Sequence, residues 1–185
     1  MLTEQQLIEE LSRTLGKTKV LKLSRILEER HFALHHLIDI TFHPDKVIGF
    51  RAVWILENMF LKHPENYLND LKYFVSRFKE VSNPSCMRHY TKLIMHMTDT
   101  TSPASVRLKL QTIDLEPVVE QLFAWMIAPK VKVAVKAFAG KALFNLKDRY
   151  DWIAEELEGQ LKIFMYDRSA GMRSAAKSTL RLIQK

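Results

Sequence analysis

A single cysteine, Cys86, stands in the 185 residues. That excludes an intramolecular disulfide and any multi-cysteine zinc site, and it fits a reducing compartment. Glycine and proline are also scarce, five and six respectively, and no Gly/Ser-rich or Pro-rich tract is long enough to serve as a flexible linker. One domain over 1–185 is the expectation. No apolar run approaches the ~18 residues of a membrane span, and the opening MLTEQQLIEELSRTL has no apolar stretch of signal-peptide type. The chain therefore reads as cytoplasmic, without a membrane partner. GxxxxGK[ST], GxGxxG, GxSxG and CxxC are all missing, which removes the common phosphate-cradling, acyl-transfer and thiol-redox mechanisms. No catalytic residue, cofactor or metal is assigned.

What is present is helical periodicity. Apolar residues recur at three- and four-residue intervals, while β-branched runs of period two are nearly absent. Thr3 and Gln6 form a capping-box pattern ahead of a stripe of Leu7, Leu11 and Leu15, and Gly16 reads as the stop of that helix. A second helix over about 18–30 completes an N-terminal capping pair, 1–31. From residue 32 the chain reads as four helix pairs, each an A helix, a breaker and a B helix. HFALHHLIDITF precedes DKVIGFRAVWILENMFLK; NYLNDLKYFVSRFKE precedes PSCMRHYTKLIMHM; EPVVEQLFAWMI precedes KVKVAVKAFAGKALFNL; DWIAEELEGQLKIFM precedes SAGMRSAAKSTLRLI. The breakers are HPD, SNPS, APK and YDRS.

The B helices repeat. Arg51, Arg88, Lys136 and Arg173 each follow an apolar residue, at intervals of 37, 48 and 37. The longer interval coincides with DTTSPASVRLK, residues 99–109, read as a polar insertion that loops out. Helix pairs recurring near forty residues are the mark of an α-solenoid. The fold expected is all-α, a right-handed superhelix of about ten helices in stacked antiparallel pairs. Two stretches share one pattern, acid, base, two residues, Gly, apolar, Arg, small: DKVIGFRA at 45–52 and DRSAGMRS at 167–174. Asp45 and Arg51, and Asp167 and Arg173, share a spacing of six.

An acid in the turn and a base six residues later on helix B resembles the pattern of HEAT-like and armadillo-type repeats. The resemblance implies that these four residues form a structural ladder bridging neighbouring repeats, with Ser82 and Lys130 departing from it in the middle two. The chain also resembles a group of short bacterial proteins sharing FRAVWILE, FAW followed by KAFA, and DWI, some of which carry the label adenylosuccinate lyase. That lyase family has a signature loop of roughly SSxMPxKxN, absent from this chain, so lyase activity ranks last among the functional readings.

Other residues read more simply. His31 and His35, four apart with Asp39 a turn further, lack the zincin glutamate, and His89 and His96 lie seven apart. Glu57, one turn past Trp54, could be an acid with a raised pKa, but a solvated or ladder-bonded carboxylate is the preferred reading. The tryptophans and most phenylalanines fall at apolar positions and read as core.

Charge is distributed unevenly within the net +7. Residues 130–147 and 168–185 hold ten bases and no acid, whereas 115–127 holds Glu116 and Glu120 and 148–167 holds six acids against two bases. B helices line the concave side of solenoids of the kind this chain resembles. The expectation is a basic concave groove carrying Lys132, Lys136, Arg173, Lys177 and Arg181. The leading functional reading is a non-enzymatic interaction scaffold that binds an acidic protein partner there. The alternative is nucleic-acid binding in the same groove, as in HEAT-like DNA alkylation-repair proteins.

Overall fold

The computed structural model describes residues 3–13 and 16–184; Leu15 of the first stripe and Lys185 of the basic C-terminus lie outside these. The described residues form eleven α-helices and two short 3₁₀ segments, without a strand. The chain is an α-solenoid.

Several helices begin where a side chain or proline relieves unpaired backbone N–H groups. Thr3 and Gln6 close the capping box on α1, Glu4–Ser12. Gly16 starts α2, Lys17–Glu29, as its N-cap and does not terminate α1, whose last flanking residue, Arg13, is extended. In the first pair α3, Leu34–Ile40, is followed by α4, Lys46–Lys62, capped by Asp45 through Val47 N–H. The second A element is not one helix. A 3₁₀ segment Pro64–Asp70, the short α5 Leu71–Ser76 and a 3₁₀ turn Phe78–Glu80 share its length, with Tyr67 outside helical geometry. Its B helix, α6 Pro84–Thr98, has Asn83 as cap and proline at the first helical position.

The segment expected to loop out instead carries α7, Ala104–Gln111. Pro103 sets its start, and Val106 and Leu110, one turn apart, bury against α6 and the second A element. The polar text around it concealed a helix with only two apolar anchors. The third pair is α8, Glu116–Ile127, and α9, Val133–Leu146; the fourth is α10, Ile153–Phe164, and α11, Ala170–Ile183, capped by Ser169.

The B helices stack in order: α2 on α4, α4 on α6, α6 on α9, α9 on α11. α4, α9 and α11 also pack on their own A partners, and α10 additionally on α9. One core runs through the stack. Tyr90 of α6 is fully buried at its centre, 4.8 Å from the Phe74 ring and close to Phe42 and Phe78, and Phe78 lies 5.0 Å from Trp125 of α8. A line of aromatic rings thus joins three consecutive pairs. The Tyr90 hydroxyl is satisfied by Thr41 at 2.7 Å, as a buried polar group requires. Burial pushes the thiol of Cys86, beside it in the core, up to about 12, so it is an inert packing group.

Candidate interaction surfaces

The twin stretches bracket two turns between an A and a B helix. In both, the aspartate accepts from the backbone N–H two residues on: Asp45 from Val47 at 2.8 Å and Asp167 from Ser169 at 2.7 Å. Beyond that they diverge, because α4 starts one residue after its aspartate and α11 starts three residues after. Arg51 reaches back across the repeat boundary and donates to the carbonyls of Leu11 and Arg13, at 2.6 and 2.5 Å, closing the C-terminus of α1. Arg173 donates to Asp167 O and Arg168 O of its own turn, at 2.7 and 3.0 Å. Neither arginine pairs with a carboxylate among the described residues.

The inter-repeat bond from a capping residue comes from Asn83, whose Nδ2 donates to Lys46 O of the previous B helix at 3.0 Å. Counted from the helix starts, Asn83 is the equivalent of Asp45, and His89 is the equivalent of Arg51. Counting from Arg88 had pointed to Ser82 instead.

His89 leads to a buried polar cluster between α4 and α6. Its Nδ1 donates to Glu57 Oε2 at 2.7 Å, and Lys92 Nζ donates to Glu57 Oε1 at 2.7 Å. The Glu57 and His89 side chains are only 12% and 9% exposed. Burial acts to raise the Glu57 carboxyl, but the hydrogen bonds and charges of His89 and Lys92 outweigh it and hold the group below the ordinary carboxylate range. Glu57 is therefore an ionised bridge and not a raised-pKa acid. A second network sits in the A layer: Asp39 accepts from Tyr73 Oη and from Arg77, both at 2.5 Å, while the Arg77 guanidinium lies 4.3 Å over the Phe42 ring. Asp39 is thus consumed in joining α3 to α5.

His31 stands before α3 with a positive φ of 50°, so it does not share a helical face with His35. His35 faces Asp70 at 3.8 Å. Among the described residues no three His, Cys, Asp or Glu side chains gather as metal ligands, and no helix is long and apolar enough to cross a membrane.

The five bases read as a groove occupy related positions. Lys132 is the exposed N-cap residue of α9. Lys136 is half-buried, its ammonium 5.4 Å over the Phe164 ring at the end of α10. Arg173, at the matching position one repeat on, holds the turn that follows α10, so Lys136 and Arg173 border the same turn. Lys177 and Arg181 continue one exposed stripe along α11. Their counterparts on α9, Gly140 and Phe144, show where that stripe points. Space beside Gly140 is filled by Leu161 of α10 and Met126 of α8, so the face that α9 turns to its A helices is, on α11, cationic. None of the five makes an ion pair among the described residues, although Lys62, Arg77, Lys79 and Lys92 in the first two pairs all do.

Comparison with known proteins agrees with this architecture. The family model described as HEAT repeat domain matches residues 7–183. The chain belongs to the HEAT repeat family. Among solved structures, this HEAT repeat chain is similar to a designed armadillo repeat protein at 14% identity and a TM-score of 0.57, over 96% of this chain and 81% of that one. At that identity the likeness concerns the fold alone. Among curated proteins, none matches the chain significantly.

Proposed function

We propose that this HEAT repeat chain is an interaction scaffold that binds an acidic protein segment through Lys132, Lys136, Arg173, Lys177 and Arg181. Stacked helix pairs supply a rigid extended surface, which is what such folds offer a partner. The observation that carries the proposal is that these five cations make no ion pair among the described residues. Lys62, Arg77, Lys79 and Lys92 in the first two pairs show the other use of a base, each bound to an acid. Unpaired charge of one sign on a rigid surface raises the local concentration of ligands of the opposite sign.

Fluorescence anisotropy with a labelled Asp/Glu-rich peptide and with labelled random duplex DNA, from low to physiological salt, tests this. Peptide binding that persists at physiological salt and is lost in Lys136→Glu and Arg173→Glu supports it. Binding of DNA alone, falling steeply with salt as released counterions require, would replace it with the nucleic-acid reading.

A further inference from the structure

In the A layer, the C-terminal pairs carry a second surface of the opposite charge. Between the two A helices α8 and α10 runs a groove of about 670 Å³, lined by Phe123, Ile127, Trp152, Glu155, Glu156 and Ile163, with Gly159 and Gln160 between them. Three of the large apolar side chains most exposed in the described residues meet here: Ile127 at 65%, Ile163 at 64% and Trp152 at 41%. Phe123 lies below Trp152, with ring centroids 5.5 Å apart. On α10, residues 152, 156, 159 and 163 fall one per turn along a single face, and on α8 so do 123 and 127. Large apolar side chains at such spacing normally turn toward a core; Trp152 and Ile163, with Glu156 and Gly159 between them, are open.

Gly159 separates this groove from an accidental patch. Mid-helix glycine costs about 1 kcal/mol relative to alanine, which close packing often justifies. A Cβ at Gly159 would meet nothing within 4 Å, whereas at Gly49 it would come 2.7 Å from Thr41 O. No contact within the chain requires Gly159. Its effect is to keep the floor of the groove low between Trp152 and Ile163, where another backbone can approach.

The rim determines what would enter. Glu155 and Glu156 are exposed and make no ion pair, and the segment 148–167 holds six acids against two bases. Lys162, on the same helix, is already engaged with Glu158 at 2.8 Å. We infer that the α8/α10 groove docks an amphipathic helix with one apolar face and lysines or arginines along its flank, provided by a partner protein. Apolar anchors at i, i+3/i+4 and i+7 would fill the space over Gly159 while the bases meet Glu155 and Glu156, the helix-in-groove mode of recognition. This surface is independent of the basic one, and either can fail without the other.

The test is anisotropy with a fluorescein-labelled amphipathic peptide of leucine and lysine, roughly 18 residues long so that it can span the groove as a helix. Two controls are its scrambled sequence and the same pattern with glutamate for lysine. Gly159→Leu fills the floor without touching the core and is expected to retain the thermal midpoint while weakening peptide binding at least about tenfold. Ile163→Glu and the double variant Glu155→Lys/Glu156→Lys are expected to do the same. Equal binding of the scrambled or glutamate peptide, no binding at all, or a Gly159→Leu protein that binds as the parent does would overturn the inference. Sedimentation of the protein alone should show a monomer; a dimer abolished by Ile163→Glu would instead make a second copy of this chain the occupant.

Discussion

DKVIGFRA and DRSAGMRS follow one pattern of residue types, yet the structure uses them differently. In the first, the helix begins straight after the aspartate, so the glycine falls at its fourth position, pressed against Thr41 of α3, and the arginine falls at its sixth, where it reaches α1. In the second, the helix starts two residues later in the text. Gly171 then meets only Ser169 and Val133 side-chain atoms at ordinary distances, and Arg173 turns back on its own loop. A two-residue shift in the cap converts a bond between repeats into a local one. Charge follows the same division. In the first two pairs, Lys62, Arg77 and Lys92 are spent on internal bonds to Glu28, Asp39 and Glu57; in the last two, the five bases singled out above have no carboxylate partner among the described residues.

The largest difference between the copies should come from the glycines. Gly49→Ala places a methyl against backbone and is expected to lose about 2–3 kcal/mol, as overpacking does; Gly171→Ala should be neutral or stabilising by up to about 1 kcal/mol. For a chain of this size the former corresponds to a thermal midpoint lower by roughly 4–12 °C. Equal midpoints for the two variants would break the comparison.

Glu57→Gln should come next. It leaves His89 and Lys92 without their shared anion and is expected to cost about 1–3 kcal/mol, less than a fully enclosed pair because Lys92 reaches solvent. The sign of the pH dependence follows from the lowered pKa of Glu57 in the folded state. Its contribution is fully present above the unfolded carboxyl value near ~4.3 and is lost as pH falls through the lower folded value. Urea titrations below pH ~5 should therefore show the parent protein approaching the variant. A gap that stayed constant on acidification would contradict the ionised bridge.

The arginines give the smallest contrast. Arg51→Ala removes two charge-assisted bonds to the end of α1 and should cost about 1 kcal/mol, while Arg173→Ala, losing only bonds to its own exposed turn, should stay within about 0.5 kcal/mol. Equal losses would restore a common ladder role to both.

The division shows what the text could carry. Helix pairs, breakers and the near-forty period were legible because each B helix repeats an apolar stripe and each A-to-B junction contains a turn residue. The segment 99–109 was not, since Val106, Leu108 and Leu110 alternate in the text without a helical stripe, and only the first and last are buried. Nor was the fate of the arginines: a shared spacing of acid, glycine and arginine does not reveal where a helix starts, and Ser169, standing where the first stretch has Val47 and capping through Met172 N–H, moves that start by two residues. The basic residues were visible as composition. Their lack of partners depends on which acids lie across a repeat boundary, which no local stretch encodes. The α8/α10 groove has one signal in the text, a glycine inside EELEGQLKIF with tryptophan two turns before it and isoleucine one turn after it.

The central claim is that the C-terminal bases serve a partner and not the fold. Its most direct test is a single triple variant, Arg173→Gln/Lys177→Gln/Arg181→Gln, on which the thermal midpoint and the affinity for a labelled polyglutamate peptide are both measured. The account predicts a midpoint unchanged or slightly raised, as like charges are relieved, with affinity weakened at least about tenfold. A midpoint several degrees lower with unchanged affinity would contradict it.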